Sequence, residues 1–112
     1  MANIIPFSFR GELFSGTHDF ANGGNQFKIA LYTSNPYSTS STAYLTTNEV
    51  SASGGSNYTA TGNILASQAV ASGTAVASVD FADTSWTSAT FTAAFAAIYN
   101  DTNADKLCVV LD

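Results

Sequence analysis

Charged side chains are scarce in this sequence and make up only 10% of its 112 residues, where about a quarter is usual. The only bases besides histidine are Arg10, Lys28 and Lys106, and the formal net charge is −5. Binding to nucleic acid depends on several cationic side chains that contact phosphates. Because three scattered bases cannot supply those contacts, we predict that nucleic acid is not a partner.

Cysteine and histidine occur once each, as Cys108 and His18. A single cysteine excludes an internal disulfide and a zinc site built from cysteines. His18 falls beside Asp19 near the end of a predicted helix, where the helix dipole favours a surface histidine. Nucleophile elbows, phosphate-binding glycine loops and metalloprotease motifs are missing as well. The sequence therefore predicts a protein that is not an enzyme and binds no cofactor or metal.

Long apolar runs are also missing, since no stretch approaches the ~20 apolar residues that cross a bilayer. The first ten residues, MANIIPFSFR, lack the basic start and the apolar centre of a signal peptide. We therefore expect a protein that is made in the cytoplasm and does not contact membranes.

Serine and threonine are abundant, with 14 residues of each. A surface of uncharged polar groups gives little charge repulsion between copies. Such a surface is typical of a protein covered by neighbours, although an exposed threonine-rich β-domain would have the same composition. A chain of 112 residues is long enough for one domain with one core, and we predict a single domain over residues 1–112.

The N-terminal part of this domain is predicted to be an arm over residues 1–7 and a helix over residues 8–20. Ser8 is a candidate N-cap for that helix. One helix face would carry an apolar stripe, and Gly11 and Gly16 would weaken the helix by about 1 kcal/mol each. The stripe consists of Phe9, Leu13 and Phe20, with Phe14 beside it.

Residues 26–112 are predicted to form a β-domain. Residues 26–33 alternate between two faces as a strand does. Two polar loops follow, at 34–42 and 51–61, and tyrosines are distributed through and between them at Tyr37, Tyr44 and Tyr58. These tyrosines either form contact surfaces, because tyrosine gives large contact area at low entropic cost, or pin their loops to the domain.

The C-terminal half reads as an antiparallel meander of strands at 64–70, 75–82, 87–99 and 106–111. The stretch TSATFTAAFAAIY at 87–99 has bulky residues at a spacing of four that also suits a helix. Its threonines and aromatic residues favour a strand, and we predict it as the centre of the sheet. The predicted fold is mainly β, a small antiparallel β-sandwich or barrel of about five to six strands with one N-terminal helix.

The turn after this stretch contains a calcium-like pattern of acids. Asp101, Asn103, Asp105 and Asp112 match positions 1, 3, 5 and 12 of a calcium loop, but Lys106 stands where that loop has glycine. A lysine there would repel the cation. The pattern therefore predicts a hairpin turn with solvated acids.

Several segments of the sequence resemble small structural proteins of tailed-bacteriophage virions. The segments are FKIALYTS (27–34), TAYLTTNEVS (42–51), YTATGN (58–63), VDFADTSWTSATFTA (79–93) and AAIYNDTNADKLCVVLD (96–112). The resemblance implies a non-enzymatic virion component, made in the host cytoplasm, such as a capsid decoration (cement) protein. Chains of this kind often continue past the Leu111-Asp112 pair with another β-segment, so we expect either a shorter member or a missing tail. With a strand missing, residues 106–111 would present an open edge.

As partners we expect the major capsid protein or other virion proteins, and a homo-oligomer of this chain. Many weak contacts suffice for attachment to a lattice. The predicted contact residues lie in the N-terminal arm, the helix and the loops: Ile4, Ile5, Phe7, Phe9, Leu13, Phe14, Tyr37, Tyr44 and Tyr58. Two alternatives are a tail, neck or fibre component and, from another class, a carbohydrate-binding module that uses Trp86.

Overall fold

The chain folds into six strands and one helix in a computed structural model that describes residues 3–112. Four strands form an antiparallel sheet in the order β2-β1-β5-β6, and the other two form a separate antiparallel pair, β3-β4. The predicted mainly β fold with one N-terminal helix is confirmed. The elements are α1 (Phe7–Phe14), β1 (Phe27–Tyr32), β2 (Asn63–Leu65), β3 (Ala69–Ser72), β4 (Ala77–Asp80), β5 (Phe95–Asn100) and β6 (Lys106–Leu111).

Helix α1 is shorter than predicted, because it ends at Phe14 and not at residue 20. Its N-cap is Pro6, and the predicted Ser8 cap is wrong. Proline suits a helix start because it lacks a backbone N–H and has a fixed φ. After the helix, Gly16 adopts a φ of 73°, which favours glycine, and the chain turns back. Phe20 lies beyond the helix and packs against the core beside Phe27, so the prediction that it belongs to a helical stripe is wrong.

Strand β5 is one of the two central strands and lies between β1 and β6, in agreement with the prediction for the 87–99 stretch. Only the C-terminal part of that stretch is strand, since β5 begins at Phe95. The preceding residues form an irregular segment whose Phe91 packs edge-on against Tyr58, with ring centroids 5.7 Å apart. The hairpin between β5 and β6 is confirmed by their antiparallel pairing.

The predicted meander is wrong in its pairing and in one strand. Strand β1 lies between β2 and β5, which separates strands that the meander would place in chain order. The strand predicted at 64–70 is divided into β2 and β3, and Ser67 between them has a φ of 55°. A positive φ interrupts an extended ladder.

The four-stranded sheet packs apolar side chains on both faces. One cluster is built around Tyr32, Tyr99 and Val110, and the other around Phe27, Leu65 and Cys108. Between the 98–109 and 99–107 pairs the register shifts by one residue. This β-bulge leaves Cys108 as the extra residue, which allows Leu107 and Val110 to share one face while Cys108 lies on the other.

The outer edge of β6 is partly covered. Ile4 and Val110 exchange two backbone hydrogen bonds of 2.9 Å each, and Ala43 forms a bridge with Lys106. We expected residues 106–111 to present an open edge if a further strand were missing. These contacts show that part of this edge is covered. The β3-β4 pair is different, because all eight of its residues are exposed. An isolated two-stranded hairpin is only marginally stable in water.

Candidate functional site

An apolar groove of about 380 Å³ opens between helix α1 and the base of the β3-β4 hairpin. Helix α1 presents Phe9 and Leu13 to it, the arm presents Ile5, and Val79 and Phe81 lie on the hairpin side. Phe20 forms part of the groove and stacks on Phe27 at a centroid distance of 4.3 Å. The groove is thus an extension of one core cluster to the protein surface.

Large apolar side chains next to the groove are exposed to solvent. Phe14 is 95% exposed, Phe7 60% and Leu13 48%. Phe7 and Phe14 stand seven residues apart on α1, and Arg10 between them lies over the Phe7 ring at 5.6 Å. At about 100° per residue, Phe7 and Phe14 lie on the outer side of α1 and Phe9 and Leu13 on the side that faces the groove, so of these exposed residues only Leu13 continues the groove.

The hairpin continues this apolar surface. Val70 and Val79 are direct cross-strand partners, so they share one face, and both are exposed. Residues 69–79, AVASGTAVASV, contain no charged side chain. Together the groove and the hairpin valines form what we call the apolar face, an exposed apolar patch of a kind that marks interaction surfaces: Ile5, Phe9, Leu13, Phe20, Val70, Val79 and Phe81.

The predicted contact residues divide between this face and the interior. Ile5, Phe9 and Leu13 belong to the apolar face, although Phe9 is half-buried. Phe7 and Phe14 are exposed on the outer side of α1. The others lie elsewhere: Ile4 packs against the core beside Val110, Tyr44 is half-buried, and Tyr37 and Tyr58 are buried.

The tyrosines pin the loops to the domain through their hydroxyl groups. The Tyr58 hydroxyl donates to Glu49 Oε1 at 2.6 Å and accepts the Leu31 amide at 3.1 Å. Tyr44 donates to Oε2 of the same carboxylate, and the Thr61 amide donates to Oε1 at 2.8 Å. Burial, with the Glu49 carboxylate adding to it, raises the pKa of Tyr58 well above its ordinary value. Glu49 therefore holds three segments together, a role that sequence patterns did not show.

His18 is buried, and the predicted surface position is wrong. Because the helix ends early, the chain carries His18 under α1, where Nε2 lies 3.0 Å from Glu12 Oε1 and Nδ1 lies 3.0 Å from the Asn100 amide nitrogen. An amide nitrogen can only donate, so Nδ1 accepts and Nε2 carries the proton. Glu12 also forms an ion pair with Lys106 at 3.1 Å, which completes a buried polar network.

Cys108 lies against this network, with Sγ 3.8 Å from His18 Nδ1. Burial, aided by the nearby Glu12 carboxylate, raises the pKa of the Cys108 thiol to about 12. A thiol in this state is not a nucleophile at neutral pH, because the thiolate is the reactive form. The cysteine, histidine and glutamate thus resemble a catalytic triad only in their proximity.

A second, polar pocket of about 600 Å³ is lined by Tyr58 and Trp86 among others. Its walls come from two loops and carry amide and hydroxyl groups, among them Asn57, Thr59 and Thr87. The pocket contains no charged side chain. Sequence reasoning identified Trp86 and the polar loop at 51–61, but not that the two meet in one pocket.

Within residues 3–112, no group of three or more histidine, cysteine, aspartate or glutamate side chains is placed to hold a metal ion. Over the same range, the structure contains no helix with the length and hydropathy needed to cross a bilayer. No protein-family profile, curated protein or solved structure matches the chain.

Proposed function

We propose that this chain is a non-enzymatic structural protein of a bacteriophage virion that decorates the capsid and stabilises contacts between capsomers. The resemblance of its segments to small virion proteins supports the setting. The observation that carries the proposal is the apolar face, which a second copy of the chain covers in a homo-oligomer. The oligomer in turn binds the major capsid protein.

Charge supports a second copy as the occupant of the apolar face. The chain carries a net charge of −5, so two copies repel each other wherever their acids meet. The apolar face itself contains no acid, and Glu12 on the same helix is engaged with His18 and Lys106. The electrostatic repulsion between two copies is therefore lowest when they meet through this face, and burial of apolar side chains stabilises the contact.

Sedimentation velocity tests the oligomer with a double variant, Leu13→Ser with Val70→Ser. Neither side chain is buried in the single chain, so the variant should keep its far-ultraviolet circular dichroism. We expect the wild type to associate and the double variant to dissociate with a Kd raised about 100-fold, because burial of one such side chain contributes about 1.5–3 kcal/mol.

Ile64→Ser provides the matched control. Ile64 is 54% exposed but stands beside Lys28 in the β1-β2 register, on the sheet face away from the groove. Its substitution should leave association unchanged. A wild type that stays monomeric up to about 100 μM, far above a micromolar Kd, would contradict the oligomer.

Attachment to the capsid is tested by adding the wild type and the double variant to shells that lack the protein. Electron microscopy should show the wild type in hundreds of copies and the variant in far fewer. If the protein occurs in three, six or twelve copies per particle, the tail, neck or fibre alternative is correct. Failure to bind any part of a virion would contradict both.

A further inference from the structure

The polar pocket beside Trp86 is built from two loops that side-chain amides hold in place. The Asn57 amide donates to the Ser88 carbonyl at 2.9 Å, which ties the first loop to the second. The Asn63 amide donates to Thr84 Oγ1 at 3.1 Å and to the Ser85 carbonyl at 3.2 Å. The two loops therefore have a fixed separation before any ligand arrives.

The backbone at this pocket adopts conformations that residues other than glycine avoid. Asn57 has a φ of 61° and Ser88 a φ of 51°. Each such residue costs of order 1–3 kcal/mol and persists where the surroundings impose it, often at ligand sites. Both residues line the pocket, so these two conformations lie where a ligand would bind.

Trp86 and Tyr58 form an aromatic wall of the pocket. Their rings lie nearly parallel, with centroids 6.3 Å apart and planes inclined by 17°. Tyr58 is fixed from behind by Glu49. The Trp86 indole N–H is buried and makes no hydrogen bond within residues 3–112. The ring that a ligand can reach is thus Trp86, which Tyr58 backs, while the indole N–H is covered by the protein.

Hydrogen-bonding groups in the pocket are also unused. The hydroxyls of Thr59, Thr87 and Ser88 make no side-chain hydrogen bond within the described chain, and Asn57 uses its amide nitrogen only. Each hydroxyl both donates and accepts. A ligand for this pocket must therefore offer donors and acceptors together, and an apolar ring or C–H face for Trp86.

We propose that this pocket binds a neutral saccharide. A sugar presents hydroxyls that match the hydroxyl and amide groups, and its C–H face packs on an aromatic ring. Anionic ligands are disfavoured because the lining has no base and the protein is acidic, and apolar ligands are disfavoured because polar groups dominate the walls. This site is separate from the apolar face and does not depend on the proposed assembly.

Trp86 fluorescence offers a direct test, since it is the only tryptophan in the chain. The full chain is titrated with a panel of neutral mono- and oligosaccharides, and with sialylated and sulfated sugars as the anionic set. We expect a saturable change with at least one neutral sugar and none with the anionic sugars. A Kd of about 1 mM corresponds to a binding free energy of −4.1 kcal/mol. No response to any neutral sugar up to about 10 mM, well above that Kd, would overturn the proposal.

Thr59→Val and Thr87→Val remove hydroxyls that the fold does not use, so both variants should keep the wild-type circular dichroism. Each is expected to weaken binding of the responding sugar about tenfold, as loss of a hydrogen bond to a ligand commonly does. Thr74→Val, in the hairpin turn, is the matched control and should bind normally. Unchanged affinity in both pocket variants would place the sugar elsewhere and contradict this site.

Discussion

Every tyrosine of this chain directs its hydroxyl to a partner inside the protein. Tyr32 donates to the Leu45 carbonyl at 2.7 Å and contacts Tyr37 at 2.6 Å, and Tyr99 donates to the Thr61 carbonyl at 2.6 Å. Tyr44 and Tyr58 share the carboxylate of Glu49. In a protein with so few charges, phenol hydroxyls take over the cross-linking that ion pairs provide elsewhere.

This arrangement predicts unfolding in alkali. Burial raises the pKa of Tyr32, Tyr37, Tyr58 and Tyr99 above the ordinary 10.0, so the folded state keeps them protonated. Their contribution to stability is fully present below pH 10 and falls as the pH rises toward the higher folded values. Each tyrosine that ionises only in the unfolded state lowers the free energy of unfolding by about 1.4 kcal/mol per pH unit.

Absorbance at 295 nm and circular dichroism, recorded together from pH 8 to 12, check this prediction. Tyrosinate absorbance should rise in one cooperative step that coincides with loss of β-structure above pH 10. The protein in urea is the control and should titrate smoothly near pH 10. A smooth titration of the folded protein with unchanged circular dichroism would contradict the buried tyrosine network.

The role of these tyrosines could not be read from the sequence. Their positions between and within polar loops fit both contact surfaces and pins, because sequence alone does not show which way a loop side chain points. Glu49 also stood in a polar stretch without periodicity. The nearest signal was a single acid between Tyr44 and Tyr58, and only the fold brings the three side chains together.

At the scale of elements, the β1-β2 pair depends on a glycine. Gly62 precedes β2 with a φ of 85°, and a Cβ atom there would lie 1.9 Å from the Ile29 carbonyl oxygen. No side chain fits this position unless β2 moves away from β1. The two strands can pair at this end only because residue 62 has no side chain.

Gly62→Ala should therefore lower the free energy of unfolding by at least about 4 kcal/mol, a loss expected only from a severe local defect. Gly55→Ala is the matched control, with a φ of 74° but no atom within 4 Å of its Cβ, and should lose about 1–3 kcal/mol from backbone strain alone. Urea denaturation of both variants measures the difference. Equal losses would show that the close approach to Ile29 does not matter.

Element prediction succeeded where a signal was local. The alternation in FKIALY and the turn between β5 and β6 were visible in a few neighbouring residues. Strands β1 and β6 were predicted within one residue of their bounds, whereas β5 was predicted to begin eight residues too early. The helix was extended too far because Phe20 matched a helical period by coincidence, while Gly16 ended the pattern. The order β2-β1-β5-β6 was not predicted, because pairing between distant strands leaves no mark on local periodicity.

At the scale of the whole molecule, the accessible surface area of the chain is larger than that expected for a compact monomer of its mass. Its accessible area is 6281 Å², against roughly 5,800 Å² for a compact monomer of this mass. The radius of gyration is 14.3 Å and the extents are 46 × 29 × 25 Å, against a radius of roughly 13 Å for an ordinary domain of this length. Exposed residues of the hairpin and of α1 contribute to this area, and an oligomer that covered them would bury it.

Charge at the border of the apolar face predicts the geometry of that oligomer. Arg10 on α1 has no carboxylate partner within residues 3–112, whereas Lys28 and Lys106 are paired with Asp101 and Glu12. Asp80, directly after Val79, has no cationic partner in the same range. A two-fold contact pairs each residue with a different residue of the second copy. Because Asp80 alternates with Val79, its side chain lies at the rim of the hairpin and not on the apolar face itself, and we predict that it meets Arg10 of the second copy there.

Arg10→Glu should then weaken self-association about tenfold in dilute salt and less in concentrated salt, where charges at the border of an interface are screened. Adding Asp80→Arg to the same chain reverses both charges and should restore association. Thr47→Glu, an exposed site away from this face, controls for net charge and should have little effect. Sedimentation equilibrium at low and high salt measures all four proteins. If the double reversal fails to recover association, the two copies do not meet with Arg10 opposite Asp80, and another arrangement of the apolar faces must hold the oligomer together.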